Sequence, residues 1–160
     1  MAPPANLQQL LETVTYPGMI LEESRVLRSW IAAHGARYDE LRFNERVGPG
    51  VILGDHIPEK DRRDWEKHTK ARPDMVAVQY PLDATIVEAK WQATLESIWQ
   101  VLSYVELYAQ SFPDWRVRAV IVAADATPAA RTLAPLRGVQ MHLYRLNTNA
   151  PLAPGEEATT

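Results

Sequence analysis

Cysteine is missing altogether, which excludes disulfides, thiolate zinc sites and cysteine nucleophiles. No apolar run approaches the roughly 20 residues needed to cross a bilayer, so no membrane partner is expected. The start, MAPPANLQQLL, has neither a basic flank nor a long apolar stretch; with no secretory signal, the protein is expected to be intracellular and cytoplasmic. The glycine-rich stretch VGPGVILGDHIP is not closed by Gly-Lys-Ser/Thr, so it is no phosphate-binding P-loop, and no G-x-S-x-G nucleophile turn occurs. His34, His56, His68 and His142 lack metal-ligand spacing and read as surface or loop residues. Strong charge of one sign is absent too. A formal net charge of -3 argues against coating nucleic acid by charge alone.

What is present fits one ordinary domain. A chain of 160 residues, 46% apolar and 23% charged, can bury a real core but is short for two. Residues 1–6 and 147–160 are rich in Pro, Ala and Thr without an apolar period and are expected to be loose tails around a domain of residues 7–146. Ile20, Val26, Leu27, Trp30 and Ile31 recur near helical spacing between Met19 and His34, with Gly35 where a C-terminal cap belongs. Residues 36–46 suggest a half-solvated strand, the glycine-rich stretch a loop with a brief extended piece at Val51–Leu53, and Glu59–Thr69 a polar helix. Met75–Tyr80 and Thr85–Trp91 read as two strands joined by the turn PLDA. A helix over 93–110 follows, with an apolar stripe of Leu95, Ile98, Trp99, Leu102 and Val105. A core strand (RVRAVIVAA), a short helix capped by Thr127 with Pro128 at its first position, and a last strand (VQMHLYRL) complete an α/β domain around a mixed sheet. Trp65, Trp91, Trp99 and Trp115 are assigned to packing.

The segment RPDMVAVQYPLDATIVEAKWQ puts charge where core strands should be apolar. Alternation gives Ile86, Glu88 and Lys90 one face and Val87, Ala89 and Trp91 the other. Antiparallel pairing about the turn would set Asp74 beside Glu88. Two carboxylates about 4 Å apart repel by roughly 4 kcal/mol at an effective dielectric near 20. A divalent cation reverses that sign, and Asp74, Glu88 and the backbone carbonyl of Ala89 are hard oxygen donors suited to Mg²⁺. Lys90 would stand alongside to orient or deprotonate a water and to offset charge building on a phosphate. Gln100 and Tyr104 lie four residues apart on the strongest helix. Upstream, Arg62, Arg63, Lys67, Lys70 and Arg72 form either a solvated helix face with internal ion pairs or a phosphate-contacting patch.

These residues, RPD…IVEAK…Q…Y, resemble the PD-(D/E)XK nuclease superfamily, and VEAKWQATLESIWQVLSYVELYAQ with the strand, helix and strand after it is similar to its RecB-like and NucS-type branches. The likeness runs from about Ile20 to Leu146, with specific motifs only in residues 72–108. It implies a restriction-endonuclease-like fold, a central mixed sheet flanked by helices with an αβββαβ core and an extra helix and strand at its end. It also implies hydrolysis of DNA phosphodiester bonds with Mg²⁺, for which Mn²⁺ substitutes, in repair, recombination, restriction or a mobile element. Carried over residue by residue, Asp74 and Glu88 become metal ligands, Lys90 the catalytic lysine, Gln100 the motif glutamine and Tyr104 its companion. Glu23 becomes the glutamate that many members add from the first helix, with Glu22 as second choice. The insertion at 47–71 departs from the pattern, as a substrate clamp, a lid or a dimer contact; a homodimer would suit cutting two strands. The other function class compatible with this sequence is a catalytically silent member of the fold that binds DNA or protein.

Overall fold

A computed structural model describes residues 3–146; Met1, Ala2 and the expected tail at 147–160 lie outside the described residues. The central strands follow from three apolar runs. β2 (Met75–Gln79), β3 (Asp83–Ala93) and β4 (Arg116–Ala126) are buried almost continuously through their middles, the pattern of strands covered on both faces. β1 (Glu40–Phe43) and β5 (Val139–Leu143) complete a five-stranded sheet in the order β1-β2-β3-β4-β5. β1, β2 and β3 run antiparallel; β3, β4 and β5 run parallel. Parallel neighbours require crossovers, supplied here by α4 (Leu95–Ser111) and α5 (Pro128–Leu136).

Both crossover helices pack on one face of the sheet. Ile98, Val101 and Tyr108 of α4 and Ala130 and Ala134 of α5 close over Val76, Val78, Ile86 and Ile121. α2 (Leu21–His34) covers the opposite face, where Val26, Leu27, Trp30 and Ile31 meet Met75, Ala77, Val87 and Val122. The expected mixed sheet flanked by helices is thus observed, as three layers with a core on each side. Thr127 caps α5, its side chain accepting from the Ala130 N–H, with Pro128 at the first position. Pro58 precedes α3, which spans Glu59–Thr69 as expected and buries none of its side chains.

Several local expectations are corrected. A short helix, α1 (Leu7–Glu12), precedes α2; six residues are too few for apolar spacing to announce a helix. Of the expected loose residues 3–6, Pro4 is buried. Gly35 is the C-cap of α2 as expected, but in right-handed conformation, and leads into a 3₁₀ turn, Gly35–Arg37. Its lack of a side chain serves close approach, since a Cβ there would stand 3.0 Å from Leu7 Cδ1 and 3.1 Å from Ile31 Cγ2. Only four residues of the 36–46 stretch form strand, and Val51–Leu53 is not extended into any sheet; the insertion instead ties back through an isolated bridge from Val47 to Ala71.

The α4 stripe is shifted in phase: Leu95 and Trp99 are largely exposed, and Ile98, Val101 and Tyr108 face the sheet. Hydrophobicity alone did not separate the two sides of this helix, because Trp99 finds its cover elsewhere, under the Arg137 guanidinium 5.2 Å from its ring centre. Trp65 and Trp91 are likewise about half exposed, so of the four tryptophans assigned to packing only Trp115 sits in a cluster, with Tyr80, Tyr108 and Phe112.

Candidate active site

The register of β2 on β3 positions the site. Their pairing runs from Gln79 opposite Asp83 to Met75 opposite Val87, so the next position places Asp74 opposite Glu88. β2 stops there, whereas β3 continues to Ala93 with β4 alone beside it. A half-width of β3 is therefore left without a strand partner, and the Asp74 carboxylate caps it: Oδ2 accepts the Ala89 N–H at 2.8 Å. Within a strand the N–H and C=O of one residue face the same neighbour. The Ala89 carbonyl consequently shares the edge that Asp74 occupies.

Glu88 points to the α4 face with Ile86, and only 1% of its surface is exposed. Oε1 is 2.8 Å from the Lys90 Nζ. Oε2 is buried and makes no hydrogen bond among the described residues. A buried carboxylate oxygen without a donor costs several kcal/mol unless it is neutralised or bound. Burial, reinforced by the Asp74 charge, accordingly pushes the Glu88 carboxyl up to about 7, with Lys90 offsetting only part of the rise. Burial also raises Asp74 above the ordinary carboxylate range, against the pull of the Ala89 N–H and Lys90. For Lys90, burial works against the charge, but Glu88, Asp74 and Glu23 outweigh it and hold the ammonium above its usual value. The group is a compact cluster of two acids and one amine.

Residues from both helical layers reach its rim. The chain leaves β3 at Ala93 and enters α4 through Thr94, whose side chain and that of Ser97 cap each other's backbone N–H groups. That tight entry lays α4 over the Glu88 face. Gln100 Nε2 donates to the Tyr104 hydroxyl at 2.9 Å, and the Tyr104 hydroxyl, raised chiefly by burial, feels the charges of Glu88, Asp74 and Lys90. From the first turn of α2, Glu23 is raised by burial and lies in the fields of Lys90 and Asp74, whereas Glu22 acts only as a further charge beside Glu23. Glu23 does not converge with the other two acids: among the described residues, no three His, Asp or Glu side chains come close enough to hold a metal.

The basic candidates divide. Arg62 pairs with Asp55 and Arg63 with Glu59, each at 2.6 Å. Lys67, Lys70 and Arg72 make no ion pair among the described residues. The insertion is stitched to α3 by the Val51 N–H donating to Thr69 Oγ1, and at Gly50 the chains approach so closely that a Cβ would overlap the Glu66 carbonyl.

The architecture has solved counterparts. A repair endonuclease from Pyrococcus abyssi superposes on 82% of this chain with a TM-score of 0.50 and 16% identity. The fold is restriction-endonuclease-like. Two further structures match less well: an EndoMS–double-stranded DNA complex (82% of this chain, 16% identity, TM-score 0.46) and an EndoMS apo form (44% of this chain, 24% identity, TM-score 0.39). This chain spans 49% of the Pyrococcus protein, 48% of the EndoMS chain in its complex and 33% of the apo chain. No family model matches the sequence, and no curated protein matches it either.

Proposed function

We propose that the chain is a divalent-metal-dependent nuclease that hydrolyses phosphodiester bonds in DNA. The observation that carries this reading is the buried Oε2 of Glu88 beside Asp74, an anionic oxygen that makes no hydrogen bond among the described residues and has only the Asp74 backbone N–H nearby to offset its burial. The donor set suits Mg²⁺, which binds through one or two carboxylates, keeps several waters and leaves the rest to phosphate. Asp74, Glu88 and the Ala89 carbonyl would hold it, with Glu23 as an outer partner, and Mn²⁺ would take the same ligands. When bound, such an ion polarises a phosphoryl oxygen and lowers the pKa of a coordinated water. Lys90, charged and half-buried, would orient the attacking water and offset charge gathering on the phosphate. Gln100 and Tyr104, already joined, would fix polar groups over the same space. The unpaired cations Lys67, Lys70 and Arg72 would follow the DNA backbone, and a homodimer would place one site on each strand.

The neighbours support this reading by fold, and the charged cluster supports it by chemistry. Its test pairs a melting experiment with a cleavage assay. Mg²⁺ or Mn²⁺ should raise the melting temperature of the wild type and neither Asp74→Ala nor Glu88→Ala should respond, while the wild type cuts at least one of single-stranded, duplex or branched DNA. A wild type that gains no stability from either ion and leaves every DNA intact would instead be a silent binding module. RNA run in parallel sorts the sugar preference. No helix among the described residues is long and apolar enough to cross a membrane, and nothing in the reading requires one.

A further inference from the structure

A cavity of about 540 Å³ opens on the α2 face of the sheet, opposite the face that carries Glu88. Its floor is the end of the sheet remote from Glu88, where Gln79 closes β2 and Arg118 opens β4; its roof is the C-terminal end of α2 and the 3₁₀ turn, which contribute Trp30, His34, Arg37 and Tyr38. Alternation separates it from the carboxylate cluster: Arg118 and Val120 share the α2 face with Val87, whereas Glu88 faces α4.

Among the described residues, no acid lines this cavity. The nearest, Asp83, is taken twice, by Arg116 at 2.6 and 2.9 Å and by Arg118 at 2.9 Å, so one carboxylate faces two guanidiniums. Asp39, next to Tyr38, is turned to the Tyr80 N–H at 2.8 Å. Arg37 makes no ion pair among the described residues. The wall holds two imidazoles in edge-to-face contact, His34 and His142, with ring centres 4.9 Å apart. Both were expected on the surface or in loops; both are instead half-buried here. Burial keeps them below the ordinary histidine range, His34 further lowered by Arg37 and His142 by His34. Trp30 lines the cavity and is only 2% exposed, and its Nε1–H finds no acceptor among the described residues, which makes its indole a reporter of what fills the cavity. Such donors are normally satisfied.

We infer that this cavity is an anion site for a small phosphate monoester, its phosphoryl group held between Arg37 and Arg118 against the His34–His142 pair. Guanidiniums match phosphate oxygens in bidentate fashion, and the volume lies within the range of small-ligand sites. Free inorganic phosphate and a nucleoside monophosphate share that chemistry. The site is independent of the nuclease reading, because none of its residues touches the carboxylate cluster.

The experiment follows the tryptophan indole N–H signals by NMR while the full chain, in EDTA, is titrated with inorganic phosphate or with deoxyadenosine 5′-monophosphate. Saturable movement of the Trp30 signal is expected. Arg118→Gln and, separately, Arg37→Gln should each weaken it about ten- to hundredfold, the scale of one charged hydrogen bond. Arg37 is exposed and outside any ion pair, so its variant should fold even where loss of the Arg118–Asp83 contact disturbs the other. Tighter binding of the nucleotide would mean that the base occupies the aromatic wall; equal binding would mean that the phosphoryl group alone is recognised. The inference is overturned if the Trp30 signal does not saturate with either probe, if both arginine variants bind as the wild type does, or if Glu88→Gln abolishes the effect.

Discussion

Glu88→Gln should make the metal-free protein more stable above neutral pH. The carboxyl is held at about 7 where an ordinary glutamate stands at 4.5, and that gap corresponds to about 3 kcal/mol of preference for the neutral form. A group whose folded pKa lies above its unfolded one contributes stability fully present below the unfolded value, and that contribution is lost as pH rises through the folded value. In EDTA the wild type should therefore lose about 3 kcal/mol between pH 5 and pH 8 on account of Glu88. The amide of the Glu88→Gln variant mimics the protonated carboxyl, so that variant should lose none of it. Glu23 and Glu45 are raised too, mainly by burial, but titrate in both proteins; Asp74 and Glu88 repel each other, so the difference between the two curves reads that pair, with Glu88 as its larger part. For a chain of this length about 3 kcal/mol is worth about 6–12 °C, read by thermal melts of both proteins at the two pH values. Saturating Mg²⁺ should then recover stability in the wild type alone. If the two proteins melt together at pH 8 in EDTA, Oε2 is not a stranded charge, and the reason for placing a cation beside it disappears.

Lys90→Ala should lower turnover at least about a hundredfold in a gel cleavage assay while retaining the metal-induced melting shift, as expected of a group acting on the nucleophile and not on the ion. Tyr104→Phe removes the acceptor of Gln100 and should cost about 1 kcal/mol in urea melts; a larger drop in cleavage than in DNA binding would put the pair at the reacting phosphate. Gly50→Ala forces a Cβ into the Glu66 carbonyl and should destabilise by about 1–3 kcal/mol, with faster amide exchange confined to residues 47–71. Removing Lys67, Lys70 and Arg72 together should flatten the salt dependence of duplex binding by up to about three phosphate contacts, whereas Arg62→Ala with Arg63→Ala, whose guanidiniums are already paired, should change it little.

The carboxylate cluster was legible because its signal is local. The charge in an otherwise apolar hairpin marks the place, but the register was not legible: PLDA as the turn would set Asp74 opposite Trp91, whereas the turn is Tyr80–Leu82, β3 starts at Asp83, and Asp74 comes opposite Glu88. Glu23 was legible only by resemblance, since its approach to Lys90 depends on how α2 lies across the sheet. The His34–His142 contact was not legible at all: the two are 108 positions apart, on a helix end and an edge strand, and neither carries a spacing that points to the other. Trp99 misled because a large aromatic at helical spacing is normally buried, yet here it stays about half exposed with a guanidinium over one part of its ring. The α4 phase was decided by packing, which no period in the sequence encodes.

A net charge of -3 conceals how the sheet sorts its charges. Where β2 ends short of β3, one face carries buried Glu88 and part-buried Asp74 with the Lys90 amine beside them; at the other end, on the opposite face, guanidiniums outnumber carboxylates and two half-buried imidazoles stand among them. The acid end is costly by itself, since a buried carboxylate oxygen without a hydrogen bond lowers stability, whereas the arginine end is part-exposed and Arg116 and Arg118 share Asp83. A cation is proposed where the acids meet and an anion where the arginines do. Mg²⁺ and phosphate titrated separately should thus each stabilise the chain, and because the two clusters lie on different faces and ends of the sheet, their stabilising effects should add within about 0.5 kcal/mol.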